Sequence, residues 1–278
     1  MIAIDGIEKE AIGHHYDLAT VFYRLLWGRH IHHGLWHADE SPAKAQLQLT
    51  QTLAAQAGIE HNDTVLDVGC GMGGSAIYLA RNHSCRVTGI TLSRVQRLWC
   101  SAASRWAGTS GRTQFRRQDA ELAEYPDASF DVVWSIECTE HLFDKARFFR
   151  RAAAWLKPGG RFAICAWLAT EPPHGDEHAH VLRNVCHGML CPSLGSCSDY
   201  VSWFEAAGLE VTLCEDWTAR VARTWDICRS RVERAGLRRI APWIDRDGVQ
   251  FLDHFQTMQQ AYAGGAMKYG CFIARKNA

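Results

Sequence analysis

The sequence predicts an α/β fold: a doubly wound, seven-stranded, mostly parallel sheet with N-terminal helices and a helical lid before the last strand. Three observations carry that expectation. From Thr64 onward, short β-rich runs alternate with helical stretches, the pattern of a parallel sheet covered on both faces. The first run, "TVLDV", ends in the glycine turn "GCGMGG", which opens a helix. Two stretches, one up to Gln56 and one over 218–265, stand outside the alternation and are positioned to roof the ends of the strands.

Taken in order, the segment up to Gln56 reads as helical. "TVLDV" is the first strand and a helix over 74–82 follows it. "CRVTGI" is the second, and "SRVQRLWCSAASRWAG" is a helix that Ser93 can cap. "TQFRRQD" is the third strand and "SFDVVWSIE" the fourth. In "DKARFFRRAAAWLKPGG", Asp144 starts a helix that Pro-Gly-Gly should stop. "RFAICAW" is the fifth strand, "CSDYVSWFEAAGLE" a helix ending at glycine, "EVTLCEDW" the sixth strand and "AMKYGCFIARK" the seventh. The expected organisation is an N-terminal cap over 1–60, a Rossmann-like core over 61–217, a helical lid over 218–265 and the final core strand over 266–278.

With 278 residues and 47% hydrophobic content, the chain can bury one sizeable core with appended helices. Lysine plus arginine equals aspartate plus glutamate at 30 each, so composition supplies no global field for nucleic acid or an anionic membrane. Eleven cysteines, an odd number without a C-x-x-C, read as reduced and mostly buried thiols. The N-terminus lacks a signal-peptide pattern, and no apolar run approaches the ~20 residues of a membrane span. A cytoplasmic protein is expected, with its oligomeric state open and a homo-oligomer allowed.

Gly69, Gly71 and Gly74 satisfy G-x-G-x-x-G, in which absent Cβ atoms let backbone approach a ligand. Alone the pattern does not select that ligand. A dinucleotide enzyme tends to place an acid at the end of strand two; Thr91 stands there. No tyrosine has a lysine four residues on, as a short-chain reductase requires. Asp119 ends strand three, where it can accept from an adenine amino group, and Asp67 can hold the loop amides or an ammonium. An NAD(P)-dependent oxidoreductase is therefore disfavoured. A catalytically dead cofactor-binding module is the other alternative of a different class.

"VLDVGCGMGG", "GITLSRVQ", "QDAELAEYPDASFDVVWSIECTEH" and "WLKPGGRF" resemble successive motifs of the class I S-adenosylmethionine-dependent methyltransferases. "YRLLWGRHIHHGLW", "GITLS" and "WSIECTEH" followed by "DK" resemble their γ-tocopherol methyltransferase-like branch, which includes natural-product enzymes. The resemblance runs from about His15 to Lys276 and is thin over 171–197 and before the last strand. It implies that Gly69 and Gly71 lie against the methionine part of S-adenosylmethionine and that Thr91 and Gln96 meet its ribose. Asp119 with the Ala120 amide would read adenine, and the carbonyl near Ser135 or Ile136 would take the ammonium. Tyr16, Trp27, His33 and Gly34 would close over the cofactor. Tyr16, Thr20, Tyr23 and Trp27 also share one helix face by spacing alone.

A sulfonium methyl is already activated, so the protein must chiefly align the reactants and exclude water. Candidate bases follow strand four: Glu140 first, His141 second, with Glu137 orienting the cofactor or the N-terminal helices. The alternative is that Glu140 and His141 have no proton role. Pro172, Pro173, His174, Asp176, His178 and His180 read as a mobile loop near the acceptor mouth; a metal there is weighed and set aside. Trp36, Trp134, Trp167, Trp203, Trp217, Trp225 and Trp243 read mainly as core, with a minority reaching a ligand. Arg220, Arg223, Arg229, Arg231, Arg234, Arg238 and Arg239 read as a solvated face or, alternatively, as a grip on an isoprenoid diphosphate that would be methylated at carbon. The expected function is methyl transfer to a small hydrophobic natural-product acceptor, aromatic or terpenoid-like.

Overall fold

A computed structural model describes residues 1–171, 175–234 and 246–278. The elements of the first half are β1 (Ile2–Ala3), α1 (Lys9–Leu26), α2 (Pro42–Gln56), β2 (Thr64–Val68), α3 (Gly74–Asn82), β3 (Arg86–Thr91), α4 (Arg94–Trp106), β4 (Thr113–Arg117) and β5 (Phe130–Ile136). A short 3-10 turn, Thr139–His141, leads into α5 (Lys145–Trp155), β6 (Leu156–Ala169), α6 (Gly175–Gly188), β7 (Ser193–Leu194), α7 (Cys197–Ala206) and β8 (Leu209–Asp216). Then come α8 (Thr218–Val221), α9 (Arg223–Arg234), α10 (Arg246–Ala263) and β9 (Met267–Lys276).

The main sheet has seven strands in the order β4-β3-β2-β5-β6-β9-β8. β2 pairs in parallel with both β3 and β5, whereas β9 runs antiparallel to its neighbours β6 and β8. The chain winds outward through β3 and β4, then crosses back to β5. The switch point therefore lies between the carboxyl ends of β2 and β5, where open α/β sheets bind ligands. Val65, Leu66, Val68, Val132, Val133 and Trp134 are fully buried, as strands covered on both faces demand. The seven expected strands and the doubly wound fold are present.

Three local details differ from the sequence reading. The helix before β6 stops at Trp155, ahead of Pro-Gly-Gly, and Leu156 is already extended. Lys157 precedes Pro158 and so avoids helical backbone. Residues 175–188 form α6, not a loop: Leu182, Val185 and Cys186 supply a buried stripe and Asp176 and Glu177 an acidic first turn. Pro172, Pro173, His174, Arg238, Arg239 and Trp243 lie outside the described residues. Among the described residues no group of three His, Cys, Asp or Glu side chains is placed to hold a metal ion. The N-terminus is not helical throughout, since β1 forms a two-stranded ladder with β7. No helix among the described residues is long and apolar enough to cross a membrane.

Ser93 and Asp144 cap α4 and α5, accepting from the amides of Gln96 and Arg147. Ser93 Oγ also donates to Asp17 Oδ1, and Asp17 accepts from Val95 N at 3.0 Å. This pins α1 across the start of α4. Ser93→Ala removes a cap and the tie between the helices together. It should cost about 1–2 kcal/mol in chemical denaturation; a loss of only a few tenths would show that α1 is held elsewhere.

Candidate active site

Two cavities meet at the carboxyl ends of β2 and β5. The first is the glycine cradle, lined by Asp67, Gly69, Gly71 and Ile136 from the core and by Arg29, His30, Ile31 and His32 from the segment after α1. Gly69 has φ +73°, and a Cβ there would stand 2.3 Å from the Cys138 side chain. Only glycine satisfies both the backbone and the space. At Gly74 a Cβ would meet His30 Nδ1 at 2.6 Å and the Arg29 carbonyl at 2.9 Å. The third glycine of the fingerprint thus seats the N-terminal segment on the start of α3, where a dinucleotide enzyme binds pyrophosphate.

Asp67 Oδ2 is buried without a hydrogen-bond partner. Burial lifts this carboxyl to about 7. A buried acid poised to ionise fits the cationic cofactor implied by the sequence resemblance. Thr91 donates to Gln96 Oε1 at 2.8 Å, and both side chains are buried beside the cradle. Asp119 and Glu121 accept from Lys9 Nζ at 2.8 and 2.6 Å, so the start of α1 reaches the end of β4. Ala120 is buried there, and Ser135 Oγ donates to the Val68 carbonyl at 3.2 Å. Gly34 lines neither cavity; its N–H donates to Thr224 Oγ1 at 3.0 Å and ties the segment to α9.

Ile31 also lines the second cavity, so the two share a wall. This cavity encloses about 570 Å³ of atom-free space, part of it open to solvent. Tyr16, Tyr23 and Trp27 of α1 roof it, Trp167 and Trp225 form its sides, and Glu137, Glu140, His141 and His33 supply its polar groups. All three sequence-predicted catalytic candidates are here, together with three residues expected to close over the cofactor.

Their hydrogen bonds assign distinct states. Glu137 Oε1 accepts from His33 N at 2.8 Å, His33 Nδ1 at 3.0 Å and Tyr269 Oη at 2.7 Å. Burial alone would raise Glu137, but the charge of His33 and these bonds prevail and hold it below the usual carboxylate range. With Nδ1 committed to the carboxylate, His33 Nε2 is left buried and unpartnered. Glu140 differs: Oε1 accepts from Trp167 N at 2.5 Å, Oε2 has no partner, and burial pushes the carboxyl up to about 8. His141 Nδ1 donates to the Leu190 carbonyl at 3.0 Å, leaving Nε2 to accept from Tyr16 Oη at 2.9 Å. Burial lowers His141 to about 4, so this imidazole is neutral. Lys145 lies beneath, bonded to Leu142 O and Ser193 Oγ at 2.7 Å each.

The sequence reading underused His33, treating it as lid. "RHIHH" was the signal, but only the fold brings it to Glu137, 104 residues away. Arg29, His30 and His32 were likewise missed as cradle walls.

Residues 6–262 match the family described as Mycolic acid cyclopropane synthetase. A probable chloroplastic tocopherol O-methyltransferase of Oryza sativa subsp. japonica is 31% identical over 96% of this chain and 78% of its own length. The 27-O-demethylrifamycin SV methyltransferase of Amycolatopsis mediterranei (strain S699) is 36% identical over 82% of this chain and 83% of its own. The crystal structure of mycolic acid cyclopropane synthase CmaA1 complexed with SAH and CTAB shares the fold. Its TM-score is 0.88 at 19% identity, covering 98% of this chain and 100% of that one.

Two outcomes follow from the carboxyls. S-adenosylmethionine binding near pH 6.5 should release a proton as Asp67 ionises beside a cation, seen by calorimetry in buffers of different ionisation enthalpy. Asp67→Asn should bind more weakly and release none; equal release would remove Asp67 from the cradle. For Glu140, the folded carboxyl holds its proton up to about pH 8, while the unfolded one loses it near ~4.3. The folded state is therefore penalised as pH rises between those values. Glu140→Gln should gain stability over wild type progressively from pH 5 to pH 8 in urea titrations; a pH-independent difference would mean that Glu140 is solvated.

Proposed function

The chain belongs to the mycolic acid cyclopropane synthetase family of S-adenosylmethionine-dependent methyltransferases, on its tocopherol methyltransferase-like branch, and from that premise we propose O-methylation of a small, largely apolar acceptor with His33 as general base. One observation carries this reading. The aromatic cavity that shares a wall with the cradle is lined by four buried polar atoms without partners: His33 Nε2, Glu140 Oε2, Trp167 Nε1 and Trp225 Nε1. Orphan polar atoms are costly inside a protein and concentrate where a ligand completes them. An acceptor hydroxyl satisfies His33 Nε2 as donor and an indole N–H as acceptor.

When bound, the cofactor would supply an activated methyl group, with a neutral thioether as the leaving group. Asp67 and the backbone at Gly69 and Gly71 would hold it, and Thr91, Gln96, Asp119 and Ala120 would flank its nucleoside end. His33 Nε2 takes the hydroxyl proton as the oxygen forms its bond to carbon, and Glu137 stabilises the resulting imidazolium. Glu140, protonated below pH 8, donates to the acceptor. Tyr16 and His141 latch α1 over the cavity. This ordering places His33 ahead of Glu140 and His141 as base. The names of relatives divide between oxygen and carbon, as in tocopherol O-methyltransferase and sterol 24-C-methyltransferase, so the oxygen assignment rests on His33 Nε2.

Methylation of an isoprenoid diphosphate at carbon is less well supported. Among the described residues no arginine or lysine lines the cavity. Arg220 stacks on Trp217, while Arg223 stacks on Trp36 and pairs with Asp39.

His33→Gln keeps the backbone bond to Glu137 and removes the base. With labelled cofactor and a panel of phenolic and hydroxylated isoprenoid acceptors, kcat should fall by ~10²-fold, while affinity for S-adenosylhomocysteine changes by less than about threefold. Undiminished turnover in this variant would return the base to Glu140 or His141.

A further inference from the structure

Overall neutrality conceals a segregation of charge. Between Asp67 and Asp119 the chain has eight arginines and no aspartate, glutamate or lysine. Acids are absent as well from residues 18–38 and from α2. The fold brings parts of these segments together where the end of α1 and the residues after it, Leu47 of α2, α3 and α4 meet. There, Arg24, Arg29, Arg81, Ile77, Trp99 and Trp106 line one open groove. The ion pairs formed by the described residues leave Arg24, Arg29 and Arg81 unengaged.

Large apolar side chains stand out among these cations. Trp106 is 93% and Leu25 78% exposed, and Leu18, Val21 and Leu98 are exposed beside them. Such a cluster on one face of a soluble domain marks an interaction surface. Leu18, Val21 and Leu25 lie on the outer side of α1, opposite the Tyr16–Thr20–Tyr23–Trp27 stripe that closes the aromatic cavity.

We infer that this face docks on an anionic lipid bilayer. Arg24, Arg29 and Arg81, like-signed along the groove and outside the ion pairs of the described residues, repel a second copy of the same surface. They complement a negative headgroup layer, where each basic residue adds attraction. Tryptophan and leucine at the outermost points with arginine between them is the arrangement that settles into the headgroup and acyl boundary. The geometry of α1 favours a bilayer over a folded acidic protein: with its outer face on the membrane, the cavity lies one helix diameter, about 10 Å, from a phase that dissolves apolar molecules. Docking does not depend on which atom is methylated.

The test is co-sedimentation of the full chain with vesicles of phosphatidylcholine containing about one-third phosphatidylglycerol, against pure phosphatidylcholine. Binding should be confined to the anionic vesicles and fall at least about tenfold in ~1 M salt. Arg24→Glu with Arg81→Glu, and separately Trp106→Ser, should each weaken it by about tenfold, with melting temperature and S-adenosylhomocysteine affinity unchanged. Equal binding to both vesicle types, no binding at low salt, or indifference to these substitutions would overturn the proposal. Concentration-dependent dimerisation abolished by the same variants would assign the face to a second copy instead. Tighter binding to polyglutamate than to anionic vesicles would assign it to an acidic protein, and either result refutes membrane docking.

Discussion

One carboxylate oxygen holds the site together. Glu137 Oε1 takes a backbone amide and an imidazole N–H from His33 and the hydroxyl of Tyr269. These donors come from the segment after α1 and from the last strand, and the acceptor follows β5. Three parts of the chain that are distant in sequence meet on a single charge. Glu137 itself has φ +52°, a left-handed backbone that a glutamate adopts only when its surroundings impose it. Remove the charge and two costs appear at once: three donors lose their acceptor, and the strained backbone loses its reason. The roof over both cavities rests on the same oxygen, because His33 adjoins Gly34 and the Gly34 N–H reaches Thr224 on α9.

Much of the fold was legible because local rules and tertiary demands agree. Strands β2 and β5 are short, mostly apolar runs, and Ser93 and Asp144 announce their caps. Where they disagree, the sequence misled. Polar "GDEHAH" after two prolines looks like a loop until Leu182, Val185 and Cys186 find α10 to pack against. The Ile2–Ala3 ladder is too short for periodicity to register. In the site, Asp67, Gly69 and Gly71 could be read from spacing, since the turn itself defines them. His33 could not, because its chemistry comes from a partner 104 residues away. Charge segregation was hidden for a simpler reason: composition sums over the chain, while an electric field depends on where the charges are.

The aromatic cavity carries several titratable groups yet little charge. Glu140 is protonated and His141 neutral near pH 7, both because burial disfavours their charged forms. A methyl cation equivalent passing between two neutral partners needs no counter-ion at the nucleophile. An ionised carboxylate there would compete with the acceptor for both the cofactor's charge and the methyl. The one carboxylate held ionised, Glu137, spends Oε1 on His33 and Tyr269, so it is not free to act as a rival nucleophile.

α1 is where these demands converge. An eighteen-residue helix with a strong inner stripe would ordinarily present a polar outer face to water. Here the inner stripe closes a cavity and the outer one is also apolar, broken by Arg24. Such a helix has no single environment that satisfies it. Its polar ties are specific: Lys9 to Asp119 and Glu121 at one end, Asp17 to Ser93 midway, Tyr16 to His141 beneath. These bonds add to apolar burial on the inner side, where Ile12, Tyr23 and Trp27 are buried and Trp27 meets Trp225 edge to face. The inner side is thus fixed by burial and by polar bonds together, and the exposed Leu18, Val21 and Leu25 are what the helix leaves for another surface to cover.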